Sequence, residues 1–178
     1  MNFLSLRREN DTQMKPALDI KREGALPLSS RKLENLLRGV LEKGASFRFQ
    51  AKGFSMSPFI KDGDLLTITP LLESPPRFGD VVVFVHLGTG KLTIHRIIGK
   101  KVGSYLTKGD NAPERDGFIP KADILGRVTN VERSGKCISL GLGPDRFIIA
   151  FVIRTGLLPL LNPLWRLVHF FMKSRHRE

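Results

Sequence analysis

Apolar residues recur along this chain with two different periods. Leu33, Leu36, Leu37, Val40 and Leu41 fall three or four positions apart, the spacing of one face of a helix. Ser29-Ser30 offers an N-cap before them, Lys43 lies in the last turn and Gly44 stops the run. The pattern predicts an amphipathic helix over residues 29–44 with one apolar face to cover. From Ser46 the period shortens to that of strands. Ser46–Ala51 alternates, Leu65–Leu71 is rich in β formers, and Asp80–His86 contains Val81-Val82-Val83-Phe84-Val85. Such an unbroken run suits a strand buried on both faces. Leu87-Gly88-Thr89-Gly90 is turn chemistry, so Asp80–His86 and Lys91–Gly99 are predicted to pair as a hairpin. Shorter strands are expected around Tyr105–Lys108, Ile124–Glu132 and Lys136–Leu140, with loops at Pro75-Pro76 and Asn111-Ala112-Pro113.

These patterns divide the chain into a polar arm (1–28), the helix (29–44), one mainly β domain (45–142) and a tail (143–178). Phe147–Ile153 is almost wholly apolar, Arg154 interrupts it, and Pro159 and Pro163 break the stretch after it. Leu164–Met172 is apolar again, with Trp165 among its apolar positions and Arg166, His169 and Lys173 on one helical stripe. A spanning helix wants about 20 apolar residues with few charges. The arginine and the prolines favour instead an interfacial hairpin or amphipathic helix on anionic lipid, with Lys173, Arg175 and Arg177 near the head groups. The alternative is that the tail covers the β domain's own apolar surface.

Composition narrows the chemistry. The formal charge of +12 over 178 residues suits nucleic acid, anionic lipid or an acidic substrate and does not choose among them. With one tryptophan and one tyrosine, base stacking would fall to phenylalanine, so nucleic acid is not the expected partner. Cys137 is the only cysteine, which excludes an internal disulfide and a cysteine metal cage; in Lys136-Cys137-Ile138-Ser139-Leu140 it is expected as a small core or edge residue. His86, His95, His169 and His176 lack the close helical spacing of a zinc protease motif, so neither metal nor cofactor is expected. Residues 1–7, Met-Asn-Phe-Leu-Ser-Leu-Arg, lack the apolar run of a secretory signal or membrane anchor.

The stretch Gly53-Phe54-Ser55-Met56-Ser57-Pro58 holds a hydroxyl between a flexible glycine and a stiff proline. A serine is a weak nucleophile until a base stands in hydrogen-bond reach, and a histidine, with an unperturbed pKa of about 6.5, is able to accept its proton at neutral pH. The base must in turn be aimed, commonly by a carboxylate. Ser55, His95 and either Asp110 or Asp116 are one candidate of each kind. Taken singly, Ser55 is a turn serine, His95 a packed strand histidine, and Asp110 and Asp116 are residues that shape loops.

Together the pieces resemble a family. Gly53-Phe54-Ser55-Met56-Ser57-Pro58 with Gly63-Asp64, Gly79-Asp80-Val81-Val82-Val83-Phe84, Ile94-His95-Arg96-Ile97-Ile98-Gly99, Thr107-Lys108-Gly109-Asp110-Asn111 and Ile124-Leu125-Gly126-Arg127-Val128 are similar, in that order, to the blocks of type I signal peptidases and of the related autocleaving SOS-repressor peptidases. The resemblance covers residues 53–128. It implies a mainly β, coiled fold for that stretch, to which the periodicity adds one N-terminal amphipathic helix and an apolar, helical C-terminal segment. It also implies a serine endopeptidase that removes a signal or leader peptide from a precursor. By this resemblance Ser55 is nucleophile and His95 general base. Most bacterial members carry a lysine there; the Ser–His form resembles the enzymes of archaea, the endoplasmic reticulum and some spore formers. Lys91 and Lys108 are the alternatives should a lysine be the base. Asp116 is favoured for orienting His95, and Asp110 for shaping its loop. Many members have a serine where this chain has Gly53, so the oxyanion hole is expected at backbone N–H groups of the turn Gly53, Ser55 and Met56, Ser55's own among them. The partners implied are a precursor protein or peptide and an anionic membrane surface met by residues 147–177. Membrane association is therefore expected, with a cytoplasmic self-cleaving or leader-processing peptidase as the alternative. From another class, a catalytically silent basic β module stands as a rival.

Overall fold

The five apolar residues at helical spacing form the inner face of α1, Ser30–Glu42: Leu37 and Leu41 are buried, and Leu33, Leu36 and Val40 pack around them. This computed structural model describes residues 30–156 except 73 and 87, together with the backbone of Leu18–Asp19. Ser29, the expected cap, lies outside the described residues, as does most of the polar arm.

The strands are β1 (Leu18–Asp19), β2 (Phe47–Gln50), β3 (Leu65–Thr69), β4 (Val81–Val85), β5 (Leu92–Lys101), β6 (Ser104–Lys108), β7 (Arg115–Pro120), β8 (Ile124–Arg133) and β9 (Lys136–Cys137). They form one sheet in the order β1-β2-β3-β8-β4-β5-β6-β7, with β9 paired to β8. Apart from the parallel β1–β2 contact, every pairing is antiparallel. The predicted β4–β5 hairpin is present, with Val82 opposite His95. Proline at position 70 follows the end of β3, which stops at Thr69 rather than Leu71. β9 is also shorter than expected, because the Ser139 carbonyl instead closes a turn with the N–H groups of Leu142 and Gly143. Cys137 is exposed on that short edge strand.

The run of β4 is covered on both sides, as its sequence requires. Val81 and Val83 face α1, Phe47, Leu66, Ile68, Val128 and Val131, while Val82 and Phe84 meet Ile97, Tyr105, Ile119 and Ile124. The first part of the tail is helical, α2 (Arg146–Thr155), and packs Ala150 and Ile153 onto Ile98 of β5. Arg154 Nη1 donates to the Ile98 carbonyl at 2.9 Å, and Arg146 Nε lies 3.3 Å from Asp80 Oδ1. No helix of the described residues is long and apolar enough to cross a membrane. The expectations for Leu164–Met172 and the basic C-terminus lie outside the described residues.

Candidate active site

The connection between β2 and β3 holds Ser55 at the surface. Gly53 has φ +93°, a backbone state that side-chain-bearing residues rarely adopt, and its N–H donates to Asp62 Oδ1 at 2.8 Å. Behind Ser55 the chain coils: Ser57 N–H reaches the Phe54 carbonyl and Ile60 N–H the Met56 carbonyl. Met56 and Ile60 are buried in the main core, so the turn is anchored from beneath while Ser55 stays exposed. Gly53 therefore serves the shape of the turn, its own N–H being engaged. Gly63-Asp64 closes the connection, with Asp64 gripped bidentately by Arg133 at 2.8 and 2.7 Å. Burial opposes ionisation of Asp64, but the Arg133 hydrogen bonds and the Lys61 N–H hold its carboxyl below the ordinary range.

His95 projects from β5 with its ring edge against Phe84, centroids 6.2 Å apart. Its Nε2 lies 3.1 Å from Ser55 Oγ, forty positions away in sequence, and its Nδ1 lies 2.7 Å from Asp116 Oδ2. An ionised carboxylate only accepts, so Nδ1 carries the proton and donates to Asp116. Nε2 is then the acceptor, and the Ser55 hydroxyl donates to it. Burial pushes the Asp116 carboxyl up, yet the hydrogen bond and charge of His95 outweigh this and hold it below the usual carboxylate range. Both side chains are about nine-tenths buried, His95 at 10% and Asp116 at 9% exposure, so their interaction is poorly screened by water.

A local irregularity aims Asp116. In the β6–β7 pairing Thr107 faces Gly117 and Lys108 faces Arg115, which leaves Asp116 as the extra residue of a β-bulge. The bulge turns its side chain toward the His95 ring, and Gly117 supplies the φ of +86° that follows. Sequence pattern does not announce β7, because Arg-Asp-Gly-Phe-Ile-Pro shows no clean alternation; as an edge strand it tolerates the glycine and proline.

Asp110 does not bond to His95, both of whose ring nitrogens are engaged by Asp116 and Ser55. Its two oxygens accept from Arg96 Nε and Nη2 at 2.8 and 2.7 Å, and both side chains are fully buried. Burial pushes the Asp110 carboxyl up, with Arg96 pulling against it. Arg96 Nη1 also donates to the carbonyls of Gly79 and Gly141, at 2.9 and 2.7 Å. Of the two expected aspartates, Asp116 contacts His95 and Asp110 is bound by Arg96. Of the two lysine alternatives, Lys108 places its Nζ on the Pro113 carbonyl at 3.4 Å.

Two residues of the loop after β6 matter that sequence reasoning does not single out. A Cβ on Gly109 would stand 2.7 Å from the Ser55 carbonyl, 2.8 Å from His95 Nε2 and 2.9 Å from Ala112 Cβ. Only a residue without a side chain lets nucleophile turn and histidine meet. Asn111 donates its N–H to the Ser55 carbonyl at 2.7 Å and its Nδ2 to the Phe54 carbonyl at 3.4 Å. The signal for both lies in the Gly-Asp-Asn run, where the ionisable central residue is the obvious candidate and its neighbours are not. Among the described residues no cluster of His, Cys, Asp or Glu is placed to hold a metal ion.

A serine, a histidine and an aspartate in hydrogen-bonded line on a β sheet are the arrangement that Ser–His–Asp hydrolases use. Residues 16–129, more than half the chain, match the Peptidase S24-like family model, and the chain belongs to that family. It is a relative of the type I signal peptidases. The catalytic subunit SEC11C of the signal peptidase complex, from Homo sapiens, Mus musculus and Canis lupus familiaris, is 37% identical to it in an 87-residue alignment. That alignment covers 42% of this chain and 45% of each relative, so the chain spans less than half the length of these curated relatives.

Proposed function

We propose that the protein is a signal-peptidase-like serine endopeptidase that removes a signal or leader peptide from a precursor, with Ser55 as nucleophile, His95 as general base and Asp116 as the group that orients His95. The observation that carries this is the unbroken line Ser55 Oγ–His95 Nε2–Asp116, at 3.1 and 2.7 Å. Ser55 attacks the scissile carbonyl while Nε2 takes its proton; the imidazolium so formed is stabilised by the carboxylate against Nδ1. The tetrahedral oxyanion is held by backbone N–H groups of Ser55 and Met56. His95 then hands its proton to the leaving amine, and water activated by the same imidazole releases the acyl group. The test is to express wild type and Ser55→Ala beside candidate precursors encoded nearby in the genome, and to sequence new termini. Termini that appear in both strains sink the proposal.

A second observation bears on where this happens. Phe147, Ile148 and Phe151 on the outer side of α2 are 43%, 70% and 58% exposed, while the inner side packs on β5. With a formal charge of +12 and a C-terminus bearing Lys173, Arg175 and Arg177, this face suits an anionic bilayer surface. Sedimentation with phosphatidylglycerol vesicles is expected for wild type and lost when all three apolar residues become serine. Equal sedimentation of the triple variant removes α2 from the membrane contact.

A further inference from the structure

Thr107 lies in the middle of β6 and is fully buried, and its Oγ1 closes no hydrogen bond of ordinary geometry. An orphaned hydroxyl in a dry interior is costly where valine would fill the same space, so its surroundings ask for an explanation. On one side Thr107 faces Ile97 of β5, and two residues back along that strand on the same sheet face is His95. On the other side Thr107 faces Gly117, with the bulged Asp116 as the next residue. Thr107 and His95 thus flank one carboxylate from adjacent strands. His95 occupies Asp116 Oδ2.

We infer that Thr107 is a positioning residue for Asp116: its hydroxyl donates to the carboxylate and keeps it in line with His95 as the imidazolium forms. The inference rests on the Ser55–His95–Asp116 reading above and adds a fourth member to it. Thr107 is also among the groups that lower the Asp116 pKa, behind the opposing effect of burial and the bond to His95. Hydrogen bonds of this kind are often long in free enzymes and tighten once charge develops on the reacting groups. The hydroxyl does two things at once. It fixes the carboxylate's rotation, and by drawing off part of its charge it keeps Asp116 from holding the His95 proton too firmly.

The test uses the full chain as Thr107→Val and Thr107→Ser. Valine keeps the shape and removes the donor; serine keeps the donor. Two other titratable groups act on this pair, His86 at the end of β4 and the Arg96-bound Asp110, and both are retained in each variant. The first readout is the His95 imidazole titration by nitrogen-15 NMR, which needs no substrate. Loss of the donor is expected to move that titration upward in Thr107→Val, with Thr107→Ser close to wild type. The second is hydrolysis of a quenched peptide with alanines before the scissile bond: kcat falls about tenfold in Thr107→Val, KM stays within about twofold, and Thr107→Ser recovers the rate. An unmoved His95 titration in Thr107→Val overturns the inference, as does a serine variant no better than valine. Because the titration needs no turnover, it decides the Thr107 question even if the peptide is not cleaved by wild type.

Discussion

Gly109→Ala is the most informative single change at this site, because it adds one methyl group and removes nothing. The new Cβ would sit 2.7 Å from the Ser55 carbonyl oxygen and 2.8 Å from His95 Nε2. Restoring an ordinary contact of about 3.5 Å requires moving the carbonyl by about 0.8 Å and the imidazole by about 0.7 Å. Neither has room to retreat freely. The Ser55 carbonyl is tied to Asn111 N–H, and the imidazole is held on its far side by Asp116 and edged by Phe84. The third contact, 2.9 Å to Ala112 Cβ, closes the remaining direction. The displacement therefore falls on the Ser55 Oγ–His95 Nε2 distance, now 3.1 Å. A misplacement near 1 Å at reacting groups costs on the order of 100-fold in rate.

Overpacking should also cost about 1–3 kcal/mol of stability. The proper control is Gly39→Ala, where the added Cβ meets nothing within 4 Å in the middle of α1. That change is expected to stabilise by about 0.5–1 kcal/mol and leave activity unchanged. Cleavage of a precursor or quenched peptide, read alongside urea denaturation, separates the two effects. Gly109→Ala protein that is folded and cleaves within about threefold of wild type would refute the reasoning, since so crowded a site cannot absorb the methyl and keep its geometry.

Other outcomes rest on the same contacts. Asp116→Asn removes the carboxylate that fixes the His95 tautomer, so kcat should fall by about 10³–10⁴ with little change in the unfolding midpoint; a loss below about tenfold would dismiss Asp116 from the site. Arg96→Met strands a fully buried Asp110 and frees the Gly79 and Gly141 carbonyls, so urea denaturation should show a loss of about 3–5 kcal/mol. Asp64 has a folded pKa below its unfolded value, so its bond to Arg133 stabilises the fold above about pH 4 and that contribution is lost as pH falls through the folded pKa. Asp64→Asn should thus unfold at lower urea than wild type at pH 7, with the gap closing in acid; a gap that persists at pH 2 contradicts the assignment. Exposed Cys137 should react freely with iodoacetamide without loss of peptidase activity, whereas inhibition would mean the thiol matters.

What the sequence discloses and what it withholds have a common physical reason. Periodicity reports burial, so α1 and the doubly covered β4 are legible from the spacing of Leu33 to Leu41 and from five consecutive apolar residues. Local turn chemistry reports φ, so the β4–β5 hairpin and the Ser55 turn are legible too. β7 is not, because an edge strand with a bulge needs no alternation and can hold glycine and proline. Gly109 stands out only as part of a motif, since no composition rule distinguishes a glycine kept for backbone freedom from one kept for space. Arg96 is hidden for a different reason. A buried arginine follows no apolar pattern, and its four acceptors come from three segments remote from it in sequence.

The aspartates show most directly how partner identity, rather than local motif, assigns a role. Asp64, Asp80, Asp110 and Asp116 each stand beside a glycine and look alike in the sequence. In the fold Asp64 meets Arg133, Asp80 meets Arg127 and Arg146, and Asp110 meets Arg96. A guanidinium stays charged at any working pH, so those three carboxylates are neutralised permanently and can only hold parts of the chain together. Asp116 alone of the four faces a histidine, whose charge appears when it accepts a proton and vanishes when it gives it up. Its stabilising effect is therefore greatest at the moment the imidazolium exists, which is the moment Ser55 has been deprotonated. Exchanging that histidine for a permanently charged residue would keep the ion pair and abolish the difference between the two states on which the proposed acyl transfer depends.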